Sequence, residues 1–256
     1  MMTDIPVAAP LDTDFAGRES QTALASVMRV VNPNAFTGGT GFLHSSGKVL
    51  TAEHVVRNAG PADLVLITSR GVQIRSKGIH VDSRLDLATI EPAVPLVNLA
   101  PLPISVPSTF TIGTMLSTWG YPSGYNGPLP LLTVGHLAGS DTINGIQRYI
   151  VNAAFNSGNS GGPLLHLESG TVIGVVASKL APLPPQIQDV LDQLSQQKFG
   201  MQWTRTLPDG TKQPISETQI IVEVLQFLRS QTQLVIGHAV ILDDLRSFLA
   251  NQGLTP

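Results

Sequence analysis

The chain has 256 residues, of which 42% are hydrophobic and 13% charged, a composition typical of a globular protein rather than a disordered one. Its 15 lysines and arginines nearly balance 18 acidic residues, so we expect neither a nucleic-acid nor a membrane partner. The absence of cysteine excludes a disulfide framework and a thiolate site.

The N-terminal segment, residues 1–18, is polar and contains Pro6 and Pro10, so it is predicted to be a flexible tail. It has no basic segment followed by an apolar run, which is the pattern of a signal peptide. No stretch approaches the roughly 20 apolar residues that a transmembrane helix needs. We therefore expect a soluble, cytoplasmic protein.

From Ser26 to about Val176 the sequence consists of short apolar runs separated by Gly, Pro, Asn and Asp. The runs are rich in Val, Ile and Thr, and most span four to eight residues. They include "SVMRVV", "KVLTA", "DLVLIT", "VQIRSKGIHV", "LATIE", "TMLSTWG", "YIVNAAF" and "TVIGVVA". This pattern predicts the strands of a barrel or a sandwich.

After Lys179 the periodicity becomes helical. One apolar helix face is predicted from Ile187 to Leu194, and a hairpin is predicted to turn at Asp209–Gly210. Ser216 and Gln219 have the spacing of a capping box, which predicts a second helix carrying Ile220, Ile221, Val224, Leu225 and Leu228. The run "LVIGHAVIL" predicts a strand. A short closing helix follows, with Leu245, Phe248 and Leu249 inward and Gly253 as its stop.

The stretch "FNSGNSGGPLL", from Phe155 to Leu165, is suited to neither a helix nor a strand. It is instead typical of a backbone held around one reactive side chain, that of Ser160. A serine nucleophile needs a base, a group that orients the base, and donors for the developing oxyanion. Glycines allow a turn in which the N–H groups of Gly158 and Ser160 point into one small pocket, and a side chain at position 158 would strain or block it.

Candidates for the base and its orienting acid lie upstream. His54 stands in "VLTAEHVV", where an apolar run ends, and Asp86 stands in "SRLDLATIE" at the start of another. A carboxylate at that position needs a hydrogen-bond partner, and an imidazole N–H is suitable. Taken separately, each is weak evidence. The six histidines share no metal-ligand spacing, so no metal and no cofactor is expected.

Taken together, "TAEHVV", "DLA" and "GNSGGPL" resemble the motifs of the chymotrypsin-like (trypsin-like) serine proteases, most closely the HtrA/Deg-type protease domain without a PDZ domain. "TGGTGF", "TVIGVVAS" and "IGHAVILDDLRSFL" extend the resemblance over about residues 26–180 and 233–252. It implies an all-β fold of two six-stranded antiparallel barrels, with an α-rich insertion and a C-terminal helix.

The resemblance also implies roles. His54 would be the general base, Asp86 would hold its tautomer, Ser160 would attack the peptide carbonyl, and Gly158 with Ser160 would form the oxyanion hole. The implied substrate-binding residues are Ala154, Phe155, Val176, Ala177 and Ser178. Because no carboxylate is evident among them, we expect cleavage of a protein or peptide substrate after small or medium apolar residues.

The implied domains are a tail at 1–18 and a protease domain at 19–256. The first barrel would span about 26–100 and the second about 110–180 and 233–252, with an insertion at 181–232 beside the specificity pocket. That insertion would either shape the cleft or dock elsewhere. A regulatory protein partner or a homo-oligomer is possible, and the loop at 121–130 is a candidate for an order–disorder switch.

Several alternatives stay open. The chain could be a catalytically idle or latent relative that binds peptide in the same groove or serves in assembly. Glu53, beside the histidine, could raise the pKa of the base or point outward. Asn159 replaces the Asp that many secreted members pair with a freed N-terminus, which argues against activation by cleavage. "GNSGG" also fits a nucleophile elbow, but the flanking residues do not suit that fold.

Overall fold

The strand runs of the sequence form two closed barrels in a computed structural model of the chain. The structure describes residues 18–33, 37–107, 109–178, 185–197, 199–206, 210–231 and 236–255. The chain divides into two compact units, one comprising Met1–Lys179 with Leu234–Pro256 and the other Leu180–Gln233. Both barrels belong to the first unit.

The first barrel is closed by six antiparallel strands in the order β1-β2-β3-β6-β5-β4. Successive side chains of a strand point to opposite faces, and in β1 Met28 and Val30 are buried while Arg29 and Val31 are less buried. The short β3 is buried throughout and carries the chain directly to the helix that follows it. The strands are β1 (Val27–Asn32), β2 (Thr37–Leu43), β3 (Val49–Thr51), β4 (Val65–Thr68), β5 (Gln73–Asp82) and β6 (Leu87–Pro92).

The second barrel is also closed, in the order β10-β11-β14-β9-β8-β7. Its last strand follows the second unit in sequence and inserts between β11 and β9, which completes the barrel. Its strands are β7 (Met115–Gly120), β8 (Leu131–Ile143), β9 (Ile146–Asn152), β10 (Pro163–His166), β11 (Val172–Ser178) and β14 (Gly237–Ile241). The predicted class of two six-stranded antiparallel barrels is therefore confirmed.

A shared apolar cluster joins the two barrels. It contains Phe42 and Leu50 from the first barrel, Trp119 and Val240 from the second, and Phe248 from the closing helix α5 (Leu242–Ala250). Each barrel has a further core of its own, one around Met28 and Val30 and the other around Leu116 and Leu164. This continuous packing holds the facing edges of the two barrels in a defined position.

Two helices of the first unit were not predicted. Helix α1 (Arg18–Ser26) leads into β1, in a stretch where the sequence analysis assigned no element, and helix α2 (Glu53–Val56) follows β3. Helix α5 was predicted, and it ends before Gly253, where φ is +68° and the Leu254 N–H donates to Leu249 O. The rest of the predicted tail, residues 1–17, lies outside the described residues.

The second unit contains α3 (Pro185–Gln196), the hairpin of β12 (Gln202–Thr206) and β13 (Lys212–Ser216), and α4 (Glu217–Gln231). The predicted capping box is present, since the Gln219 N–H donates to Ser216 Oγ at 3.3 Å and the Ser216 N–H donates to Gln219 Oε1 at 2.9 Å. Asp209 of the predicted turn lies outside the described residues. The position of this insertion beside a specificity pocket stays a prediction.

Candidate active site

The predicted base stands on α2, a single helical turn that begins immediately after β3. Ala52 precedes the turn, and the Val55 N–H donates to its carbonyl. Val55 and Val56 are buried in the core of the first barrel, so the turn is anchored by apolar side chains. This anchoring leaves the His54 side chain at the surface of the barrel, with 35% of it exposed.

The structure brings Asp86 into direct contact with His54. Both carboxylate oxygens lie 3.0 Å from His54 Nδ1, and Oδ1 also accepts the His54 backbone N–H at 3.1 Å. A carboxylate can only accept, so Nδ1 carries the proton and Nε2 is left as the basic nitrogen. Asp86 is 21% exposed, and its φ of +59° is a left-handed conformation that aspartate tolerates better than most residues.

The Ser160 loop connects β9 to β10 and is held by backbone hydrogen bonds. The Gly161 N–H donates to Val176 O at 2.7 Å, and the Val176 N–H donates to Gly162 O at 2.9 Å. Glycine is required at position 158, where φ is +92° and a Cβ would overlap Tyr121 O. It is also required at position 161, where φ is +84° and a Cβ would overlap Thr40 O. The loop therefore has the special backbone that its sequence predicted.

Between Gly158 and Gly162, two backbone donors are unused. Among the described residues, neither the Gly158 N–H nor the Ser160 N–H donates a hydrogen bond, whereas the N–H groups of Asn159, Gly161 and Gly162 all do. The Ser160 hydroxyl itself donates to Ala177 O at 3.2 Å rather than to the imidazole. Residues 158–162 thus present one hydroxyl and two unpaired amide donors.

The five predicted substrate-binding residues occupy different environments. Ala154 is half-buried, whereas Phe155, only 2% exposed, and Val176 belong to the core of the second barrel. Ala177 is buried beside Ser160, and Ser178 is the last residue of β11. The Phe155 ring lies against Gly237, where a Cβ would overlap it.

Glu53 does not point outward, which was one of the two expectations stated for it. It is buried, and both of its oxygens accept hydrogen bonds from Arg57, the closest at 2.5 Å. The hydrogen bond from Glu53 raises the pKa of Arg57. The carboxylate is thus neutralised by an arginine four residues later on the same turn.

Arg148 is a buried residue near the acid that the sequence analysis missed. It lies on β9, is 8% exposed, and its Nη2 donates to Leu85 O at 2.9 Å. Burial lowers the pKa of Arg148, and the negative charges of Asp86 and Asp244 partly offset this effect. In sequence Arg148 is a lone charge in a strand, so nothing marks it as the neighbour of the Asp86 turn.

Arg29, also missed, ties the loop after β7 to the first barrel. Its Nη2 donates to Tyr125 O at 2.9 Å and to Gly127 O at 3.4 Å, and its guanidinium lies 4.9 Å from the centre of the Tyr121 ring. Burial raises the pKa of Tyr121. In this structure the 121–130 loop, predicted as a switch, is connected to β1 through one arginine.

The fold and this arrangement together define a two-barrel protein with a His–Asp pair in the first barrel and a glycine-rich serine loop in the second. A sequence model of the family described as "Trypsin-like peptidase domain" matches residues 39–175, more than half of the chain. The chain therefore belongs to the trypsin-like peptidase domain family, and the resemblance found in the sequence motifs is confirmed.

Curated relatives include serine proteases of the HtrA/Deg type. The chain is 33% identical over 153 residues to "Protease Do-like 1, chloroplastic" of Arabidopsis thaliana, covering 56% of this chain and 34% of that protein. It is 36% identical over 143 residues to a "Probable periplasmic serine endoprotease DegP-like" of Chlamydia muridarum, covering 54% and 27%. The chain thus spans about a third of the length of these relatives.

Solved structures share the fold over nearly the whole chain. The active form of the Rv3671c protease from M. tuberculosis aligns with a TM-score of 0.61 at 19% identity, covering 100% of this chain and 93% of that one. Its inactive form aligns with a TM-score of 0.60 at 20% identity, covering 96% and 98%. At this identity the likeness concerns the fold alone.

The expected cytoplasmic location is not supported by the relatives, because two of those above are named for the chloroplast and the periplasm. Among the described helices none is long and apolar enough to cross a bilayer. Within the same residues, no group of three or more His, Asp or Glu side chains is arranged to hold a metal ion.

Proposed function

We propose that this chain is a serine endopeptidase that cleaves protein or peptide substrates through Ser160, His54 and Asp86. The observation that carries the proposal is the contact of His54 Nδ1 with both oxygens of Asp86 at 3.0 Å, which leaves Nε2 basic. The unused N–H groups of Gly158 and Ser160 support it further, because a tetrahedral oxyanion needs such donors.

The proposed reaction proceeds in two halves. Ser160 Oγ attacks the peptide carbonyl carbon while its proton passes to His54 Nε2, and Asp86 stabilises the resulting imidazolium through Nδ1–H. The carbonyl oxygen, now negative, accepts hydrogen bonds from the Gly158 and Ser160 N–H groups. Collapse breaks the C–N bond, and His54 returns the proton to the leaving amine. Water, deprotonated by the same imidazole, then hydrolyses the acyl-enzyme.

A second candidate, a latent or idle peptide-binding domain, is suggested by one contact. The Ser160 hydroxyl donates to Ala177 O, so its proton is not directed at the base. Catalytic hydrogen bonds in unliganded enzymes are often long and form only when substrate binds, and this agrees with either function. A regulatory partner or a homo-oligomer would suit a latent domain and stays a prediction.

A fluorophosphonate probe distinguishes the two candidates. We expect the folded wild-type chain to form a covalent adduct, and mass spectrometry should locate it on the peptide that contains Ser160. The heat-unfolded chain and a Ser160→Ala variant should stay unlabelled, because both lack an activated hydroxyl at this position. A folded wild-type chain that remains unmodified would support the idle or latent domain instead.

Substrate preference is inferred from the apolar residues predicted to bind substrate. Phe155, Val176 and Ala177 carry no charge, and the buried Phe155 ring takes up the space next to Gly237. We therefore propose cleavage after small or medium apolar residues. A peptide library should be cut after such residues, and a preference for Arg or Lys would contradict this assignment.

Phe155→Val tests the role of the ring. The smaller side chain should make room for larger apolar residues, and kcat/KM for Leu relative to Ala at the cleavage position should rise by about tenfold, the effect of one or two methylene groups in an apolar pocket. Phe110→Val is the matched control, since Phe110 packs against the same core but is outside the Ser160 loop. An equal shift in both variants would exclude a specific role for Phe155.

A further inference from the structure

Thr40 links the first barrel to the Ser160 loop through both its backbone and its side chain. It lies within β2 and is 0% exposed. Its N–H donates to Ser160 O at 2.9 Å and its hydroxyl donates to Gly158 O at 2.6 Å. The same hydroxyl accepts the Tyr121 N–H at 3.0 Å. One side chain thus joins the Ser160 loop and the segment after β7.

These bonds act on the two peptide units that flank the Gly158 α-carbon. The carbonyl of the preceding unit, Ser157 O, accepts the Ser123 N–H at 2.6 Å, and the carbonyl of the following unit, Gly158 O, accepts the Thr40 hydroxyl. Peptide units are planar, so a fixed carbonyl also fixes the N–H on the opposite side of its own unit. The Ser123 bond therefore sets the direction of the unused Gly158 N–H. The Thr40 bond holds the next peptide unit, so the two bonds together fix the Gly158 α-carbon between them.

The Thr40 hydroxyl matters because glycine has little conformational preference of its own. With φ at +92° and no side chain, Gly158 is held in place only by its neighbours. Thr40 itself is held in turn, because Thr51, the last residue of β3, donates from its hydroxyl to Thr40 O at 2.7 Å. The position of the Gly158 donor is therefore connected to the strand that leads to His54.

We propose that Thr40 is a positioning residue for the oxyanion hole, acting through its hydroxyl on Gly158 and through its N–H on Ser160. This inference rests on the proposed endopeptidase function. It assigns to the first barrel a part in stabilising the oxyanion, in addition to its part in carrying the base and the acid. A residue with this role affects the transition state more than the bound substrate.

The test compares Thr40→Val with Thr40→Ser. Valine keeps the shape but leaves Gly158 O and the Tyr121 N–H without their partner, whereas serine keeps the hydroxyl. We expect kcat of Thr40→Val to fall by about 10-fold to 100-fold, as for a misplaced rather than a missing donor. KM should change by less than about twofold, and Thr40→Ser should regain most of kcat.

A tetrahedral adduct gives a second readout. A peptide aldehyde, which forms a hemiacetal at Ser160, should bind Thr40→Val more weakly by the same factor by which kcat falls, while affinity for the peptide product is unchanged. Thr89→Val is the matched control. Thr89 is a buried threonine of β6 whose hydroxyl bonds to Gln252, so this variant also loses a buried hydrogen bond. It should lose thermal stability without this change in kcat.

The outcomes separate the two proposals. A wild-type chain that neither cleaves peptides nor reacts with the aldehyde would contradict the endopeptidase function itself. An active wild type, with Thr40→Val equal to it in kcat and in aldehyde affinity, would overturn only the role of Thr40. If Thr40→Val does not fold, Thr40→Cys takes its place, because a thiol is a weak donor in a chain without other cysteines.

Discussion

Replacing Ser160 with alanine is expected to lower kcat for peptide hydrolysis by about 10⁶-fold, the magnitude measured when a serine nucleophile of this mechanism is removed. The variant keeps the amide donors of Gly158 and Ser160, so peptide binding should persist. We therefore expect KM, or the Kd of an uncleaved peptide, to change little. Progress curves with a fluorogenic peptide at high enzyme concentration measure the loss.

The control for this variant is Ser169→Ala, in the turn between β10 and β11. Ser169 is hydrogen-bonded to His166 and Thr171 at the surface of the second barrel, and no bond joins it to the Ser160 loop. Its kcat should equal that of the wild type. If Ser160→Ala retained more than about a thousandth of wild-type kcat, the nucleophile would be a different group.

Asp86→Asn is expected to lower kcat by about 10⁴-fold, because an amide changes the tautomer of the base. The carboxylate accepts the proton of His54 Nδ1 from 3.0 Å. An asparagine NH₂ in that position would donate to Nδ1, which would move the imidazole proton to Nε2. A protonated Nε2 cannot accept the proton of Ser160. We therefore expect fluorophosphonate labelling of Ser160 to slow by a similar factor.

Asp82→Asn is the matched control, since it removes a negative charge from the same turn. The Oδ1 atom of Asp82 accepts the Leu85 N–H at 2.9 Å, and an asparagine oxygen can accept the same bond. We expect kcat to stay within about threefold of wild type, because a partly exposed charge is screened by solvent. Equal losses in the two variants would mean that charge, rather than the hydrogen bond to His54, accounts for the effect.

The barrels could be predicted because their strands satisfy local rules. The run "SVMRVV" of β1 is short, apolar and rich in valine, and such runs between Gly, Pro, Asn and Asp predicted a barrel or a sandwich. Helix α1 was missed because most of its nine residues are polar or small, which leaves few apolar positions to show a helical period.

Only part of the candidate site could be predicted from the sequence. His54, Asp86 and Ser160 stand in three short motifs, and these motifs taken together, in their order along the chain, indicated the three residues. Arg29, Thr40 and Arg148 carry no such signal, because a charge or a threonine in a strand is common. Their contacts join residues 63 to 118 positions apart in the sequence. Residues this far apart in the sequence come into contact only when the strands of the two barrels pack together.

By itself the amino-acid sequence predicted the strands of a barrel or a sandwich, since their pattern is a property of neighbouring residues. Its motifs, through their resemblance to a family, indicated the two barrels and the residues that bear the proposed chemistry. Only the tertiary structure decided how these residues meet. It placed both Asp86 oxygens 3.0 Å from His54 Nδ1, turned the Ser160 hydroxyl toward Ala177 and left two loop amides unpaired. Hydrogen bonds such as these require atoms to be placed to within tenths of an ångström. That placement results from the packing of whole strands.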